Sequence, residues 1–233
     1  MTSFPGARAA PTPPERIALA WSGGKDSALS LLALRELGVD VAVLLTTVTS
    51  DYDRISIHGV RRVLLEEQAD ALGIPLEIAP IPPHCSNAEY ERSFGAALHR
   101  CRERGITKVA AGDLFLQDVR LYRENLLARH EMEALFPLWG RDTASVAQDF
   151  IGAGFQAILS CVDTFALDPS FAGRDFDAHL LRDLPATADP CGENGEFHTF
   201  VWNGPIFSQP VRCARGEVVL RDERFAFCDL IPA

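Results

Sequence analysis

The chain has 233 residues, 47% of them hydrophobic, which is enough for one large domain or a domain with a smaller appendage around a real core. Its 22 basic and 32 acidic residues leave a formal net charge of −10 with no basic run, which argues against a broad nucleic-acid surface. The longest apolar run, Val41 to Val48, has the length of a strand rather than a membrane span, and the six cysteines include no Cys-x-x-Cys pair, so neither a zinc knuckle nor a disulfide framework is expected.

Met1 to Pro14 carries four prolines and no apolar core, which predicts a disordered tail, no signal peptide and, by default, a cytoplasmic protein. An apolar strand, Ile17 to Trp21, then runs into Ser22-Gly23-Gly24-Lys25-Asp26-Ser27, and the turn opens a helix from Ala28 to Leu37. Such a turn is an anion site. Gly23 and Gly24 let the main chain approach a ligand, and the first N–H groups of the helix point outward unpaired. Lys25 adds a positive charge, Ser22 and Ser27 add hydroxyls, and the Asp26 carboxylate fits beside phosphates when a metal lies between them. The spacing is neither that of the dinucleotide folds nor that of the P-loop NTPases, and phosphate with magnesium is the expected ligand.

A second strand, Val39 to Val48, is apolar on both faces and belongs inside a covered parallel sheet. The polar loop Thr49 to His58 leads to a helix from Val60 to Leu72, and Leu76 to Ile81 is a third strand. Asn87 is placed to cap a helix through Cys101, and a fourth strand, Lys108 to Ala111, leads straight into Gly112-Asp113. This alternation predicts an open, Rossmann-like α/β sheet with ligands at the carboxyl ends of its strands, where the glycine turn, Thr46 and Gly112-Asp113 gather. Phe115 to His130 reads as a charged helix, Asp142 or Thr143 caps another through Ala153, and Phe155 to Val162 is a fifth strand closing a first domain of residues 15–163.

Residues 164–233 read as a smaller α+β domain. Phe176 to Leu184 is helical, Phe197 to Trp202 is a strand, and Val211 to Ala214 with Glu217 to Leu220 forms a hairpin around Arg215-Gly216. Polar candidates for chemistry concentrate in two places. Asp113, after a strand and a glycine, is a magnesium or substrate contact, and Arg141, beside Asp142, has donors suited to phosphate or carboxylate, whereas Arg120 reads as a solvated face and Trp139 as core. The loop from Asp189 to Thr199 sets Glu193, Asn194, Glu196 and His198 among glycines, as a binding loop does. His58, before Gly59 at a helix start, is a substrate-site candidate, and His198 reads as a hydrogen-bonded structural residue.

Ser22 to Ser27 resembles the Ser-Gly-Gly-x-Asp-Ser loop of the PP-loop ATP pyrophosphatases. Together with the run from Gly112-Asp113 through Tyr122-Arg123 to Phe136-Pro137-Leu138-Trp139-Gly140-Arg141-Asp142-Thr143, and with Cys191-Gly192-Glu193-Asn194-Gly195-Glu196-Phe197, it resembles the diphthine–ammonia ligase family from Arg16 to Ile206. His58-Gly59 and the Asn194 variant of the last motif look like the bacterial-type branch. The resemblance implies a nucleotide domain with a smaller domain over the site, ATP and Mg2+ as cofactors, and ATP-driven adenylation of a carboxylate followed by displacement of AMP by ammonia. It implies that Ser22, Gly23, Gly24, Asp26 and Ser27 hold pyrophosphate and magnesium, with Asp26 the metal ligand. Lys25 would stabilise phosphate charge, and Thr46 and Gly112 would belong to the nucleotide site. Asp113, Arg123 and Arg141 would border the acceptor, while Glu193, Asn194 and Glu196 would face the acceptor or ammonia. The acceptor would be a modified protein histidine or a small carboxylate, and a homodimer is compatible with it. Two other readings stay open: a PP-loop thiolase or amide ligase acting on tRNA or a small molecule, with Cys161 and Cys191 as a reactive pair, and an ATP-sensing module that does not turn ATP over.

Overall fold

Strand β1 (Arg16–Ala20) divides its side chains between two cores, Ile17 and Leu19 facing one and Ala18 the other. The same division runs along β2 (Asp40–Thr49), with Leu44 on the first side and Val43 and Leu45 on the second. Strands covered on both faces need near-continuous apolar runs, which is what these segments have. In the computed structural model, which describes residues 15–233, they form the centre of a six-stranded sheet. The tail expected at residues 1–14 lies outside the described residues.

Strands β4 (Leu76–Ile81), β2, β1, β5 (Lys108–Ala110) and β6 (Glu133–Leu135) run parallel in that spatial order. The short β3 (Arg54–Ile55) pairs antiparallel with Thr49 and Val48. Because β4 takes the other edge of β2 at those residues, β3 lies beyond the end of β1, on the side of the glycine turn. Helices α1 (Lys25–Glu36), α2 (Arg62–Leu72) and α5 (Thr143–Gly152) cover one face, and α3 (Asn87–Glu103) and α4 (Gln117–Arg129) cover the other. The start of α3 corrects the sequence reading. Ser86, not Asn87, is the cap, because Glu89 three residues on completes a reciprocal capping box with it.

The expected open parallel sheet forms, and a second, four-stranded antiparallel sheet follows it in the order β8 (Phe197–Asn203), β7 (Gln156–Asp163), β10 (Phe225–Pro232), β9 (Cys213–Arg221). Two expectations change. The strand at 155–162 forms as β7, but its partners are β8 and β10, so it opens the second sheet rather than extending the first. The hairpin does not turn at Arg215-Gly216: β9 is continuous through it, and the turn lies at Asp222-Glu223, both at φ near +50°. Gly216 and Glu217 instead lie against Asp229 alone, a bulge whose glycine has no room for a side chain, since a Cβ there would meet the Asp229 carbonyl at 2.9 Å. The short helix α6 (Ala178–Asp183) packs Leu180 into the core that β7, β8, α1 and α2 share. No described helix is long and apolar enough to cross a membrane.

Candidate active site

β1 ends at the glycine turn, and α1 begins at Lys25 with Gly24 as its N-cap. Gly23 takes a φ of +75°, and a Cβ on it would fall 2.7 Å from Gln68 Oε1. Gly112 serves a different need: a Cβ there would stand 2.9 Å from the Asp26 carbonyl, so only glycine lets the end of β5 abut the first turn of α1. Within the turn, the Gly24 N–H donates to Ser22 Oγ at 3.3 Å, and Ser27 Oγ donates to the Gly24 carbonyl at 2.9 Å.

The second sheet backs this turn. Gln68, fully buried on α2, accepts from Trp21 Nε1 at 2.9 Å and donates to the carbonyls of Gly23 at 3.1 Å and Val201 at 2.6 Å. The Val201 N–H donates in return to the Gly23 carbonyl at 2.9 Å, and Thr199 Oγ1 accepts from the Lys25 N–H at 3.0 Å. One N–H that the helix start offered to an anion is therefore already taken by β8.

A cleft of about 1050 Å³ opens over the turn, bounded by the carboxyl ends of the parallel strands, the β3 loop and the β9–β10 hairpin. Lys25, 3% exposed, lies over the neighbouring rings of Phe176 and Phe197, its Nζ 6.0 and 5.8 Å from their centroids, and holds both Asp26 carboxylate oxygens at 2.8 and 2.7 Å. Burial pulls its ammonium down, but Asp26, joined by weaker pulls from Cys191 and Glu193, more than offsets this, and Lys25 stays charged. Glu193 accepts from the Leu114 N–H at 2.7 Å, and burial lifts its carboxyl to about 7 despite that bond, with Asp26 adding to the rise. Asp113 Oδ2 stands 2.8 Å from Arg123 Nε in an ion pair without hydrogen-bond alignment. The rings of His58 and His198 lie 4.6 Å apart; His58 Nδ1 is 3.2 Å from the Thr199 carbonyl, and burial lowers its pKa to about 4, so it is neutral.

Of the residues expected from sequence, Ser22, Lys25, Asp26, Ser27, Thr46, His58, Gly112, Asp113, Arg123 and Glu193 all border the cleft. Three do not. Arg141 pairs with Asp149 along α5, away from the cleft. Glu196 is buried and accepts from the N–H groups of Asp189 at 2.8 Å and Asn194 at 3.0 Å, and Asn194 Nδ2 donates to it at 3.0 Å. The Asn194–Glu196 pair therefore shapes the loop that presents Glu193. Arg120, which the charge pattern assigned to a solvated face, lies over Trp139 at 4.6 Å and pairs with Glu124. Sequence reasoning passed over Gln68, although a lone glutamine in the apolar stripe of Leu64, Leu65, Ala69 and Leu72 marks a buried polar junction. It also passed over Thr199, and it gave His198, which lines the cleft, only a structural part.

Two domain models match this chain: "Diphthamide synthase N-terminal domain" over residues 15–131 and "Diphthamide synthase C-terminal domain" over residues 142–229. The chain belongs to the diphthamide synthase family. Curated relatives described as diphthine–ammonia ligase include a Danio rerio protein, 27% identical over 88% of this chain and 89% of its own length. The Bos taurus and Homo sapiens proteins of that description are 25% and 23% identical, each over 88% of this chain and 85% of theirs. Among solved structures, a Methanocaldococcus jannaschii protein described as a predicted subunit of tRNA methyltransferase is 19% identical, with a TM-score of 0.43, over 82% of this chain and 98% of that one.

Proposed function

We propose that this chain is an AMP-forming ligase that activates a carboxylate with ATP and amidates it with ammonia, the acceptor being of the diphthine type or a small carboxylate, in the cytoplasm. The observation that carries this reading is the shared cleft. It puts the glycine turn and Lys25, suited to pyrophosphate, within one cavity of Glu193, a carboxyl poised near neutrality.

In this reading the acceptor carboxylate attacks the α-phosphorus, forming an acyl adenylate and releasing pyrophosphate, whose charge Lys25 and the N-terminus of α1 stabilise. Ammonia then attacks the acyl carbon, AMP leaves, and Glu193 takes the proton that the nitrogen loses. Asp113 and Arg123 border the acceptor. Among the described residues no three His, Cys, Asp or Glu side chains converge on a metal position, and Lys25 holds the one carboxylate of the turn. Asp26 is the residue that would hold a magnesium arriving with ATP, in exchange for part of its pairing with Lys25, and the ion would supply positive charge to the phosphates.

The thiolase alternative is disfavoured by the thiols. Burial pushes both Cys161 and Cys191 up to about 12, and Cys191 Sγ donates to the Thr143 carbonyl at 3.2 Å, so neither supplies a thiolate near neutral pH. Product analysis of ATP turnover with ammonium and candidate carboxylates tests the proposal: AMP with pyrophosphate is expected, and ADP with phosphate would overturn it. The Asp26→Ala variant is expected to lose magnesium-dependent ATP binding in calorimetry, and binding that still responds to magnesium would remove Asp26 as the ligand.

A further inference from the structure

The second sheet has two edges, and they are treated differently. The β8 edge is covered by the glycine turn, through the bonds between Val201 and both Gly23 and Gln68. The β9 edge, residues Cys213–Arg221, has β10 on one side and nothing on the other among the described residues. Its centre is apolar and open: Val218, Val219 and Leu220 are 46%, 38% and 56% exposed. An uncovered apolar edge strand is a template for another strand.

The order of charges says which strand fits. We propose that β9 is the docking edge for a second copy of this chain, paired antiparallel about a two-fold axis at Val219. In that register Val219 faces its symmetry mate, Val218 faces Leu220 of the other copy, and Glu217 faces Arg221, each of the unlike pairs occurring twice. Neither Glu217 nor Arg221 has an ion-pair partner within the described residues, whereas Arg215 is held by Asp175. Neighbouring registers are penalised. An axis at Val218 sets Arg215 against Arg221 of the other copy, and an axis at Leu220 sets Glu217 against Glu223. The bulge at Gly216-Glu217 ends the ladder on the far side, so the contact is confined to residues 217–221. Val219 and Arg221 also line the cleft, so the second copy would lie along its rim.

Sedimentation of the 233-residue chain is expected to show a concentration-dependent species of twice the 25.5 kDa chain mass. Glu217→Arg is expected to abolish it, and Glu217→Arg combined with Arg221→Glu to restore it. A wild-type chain that stays monomeric, or a folded double variant that does not recover the dimer, overturns the proposal. Val219→Cys gives a second reading that leaves the charges alone. Under mild oxidation it is expected to form a disulfide-linked dimer that the wild type does not form, and failure to cross-link overturns the two-fold placement.

Discussion

Replacing Gln68 with leucine is expected to destabilise the protein by about 2–6 kcal/mol, from two buried polar groups left without partners at about 1–3 kcal/mol each. The two are Trp21 Nε1–H and the Val201 carbonyl; the Gly23 carbonyl keeps the Val201 N–H. For a chain of this size that is a fall in melting temperature on the order of 10 °C. Gln68 is where three elements meet, the end of β1, the glycine turn and β8, so nucleotide affinity should fall with stability. Leucine has nearly the volume of glutamine, and packing loss is therefore a small part of the effect. A melting temperature within 2 °C of wild type, in the same scan that follows ATP binding, would show that the junction is unimportant to the fold.

The second large effect is expected from Glu193→Gln, and its two readouts move in opposite directions. Loss of a positioned base typically lowers turnover about 10²–10⁴-fold, and the rise of wild-type activity through pH 7 should vanish with it. Stability should change the other way. The native carboxyl, raised to about 7, holds its proton where the unfolded one has lost it, so Glu193 contributes stability at low pH that is lost as pH rises through 7. Glutamine can still accept from the Leu114 N–H and carries no charge to bury. The variant should thus melt higher than wild type at pH 8 and near wild type at pH 4. Melting curves at the two values need no knowledge of the acceptor, and a variant less stable at pH 8 would mean that Glu193 is ionised at no cost in the native cleft.

Much of the lining of this cleft was legible in the sequence because it is built from local pattern. The glycine turn, Lys25 and Asp26 sit within one turn, and Gly112-Asp113 follows a strand end, so short-range pattern locates them. What sequence could not resolve is direction and partnership. Asn194, Glu196 and Arg141 have the right chemistry for ligands, but the first two bond within their own loop and the third pairs with Asp149 on the helix that follows it. β7 reads as one more buried parallel strand because burial on both faces erases alternation, and only its antiparallel partners reveal the second sheet. The turn at Asp222-Glu223 lacks the glycine or asparagine that usually marks left-handed angles, while Gly216 advertised a turn and made a bulge.

The bond from the Lys25 N–H to Thr199 spans 174 positions of the chain, and the glycine turn depends on it and on its neighbours from β8. During synthesis the first half emerges with the signature sequence complete yet with its scaffold missing, and loop closure over so long a separation is slow. The nucleotide pocket should consequently be among the last features to mature. A fragment ending before β8 would carry the recognisable loop and bind nothing, and refolding followed by a fluorescent nucleotide should lag behind refolding followed by backbone circular dichroism.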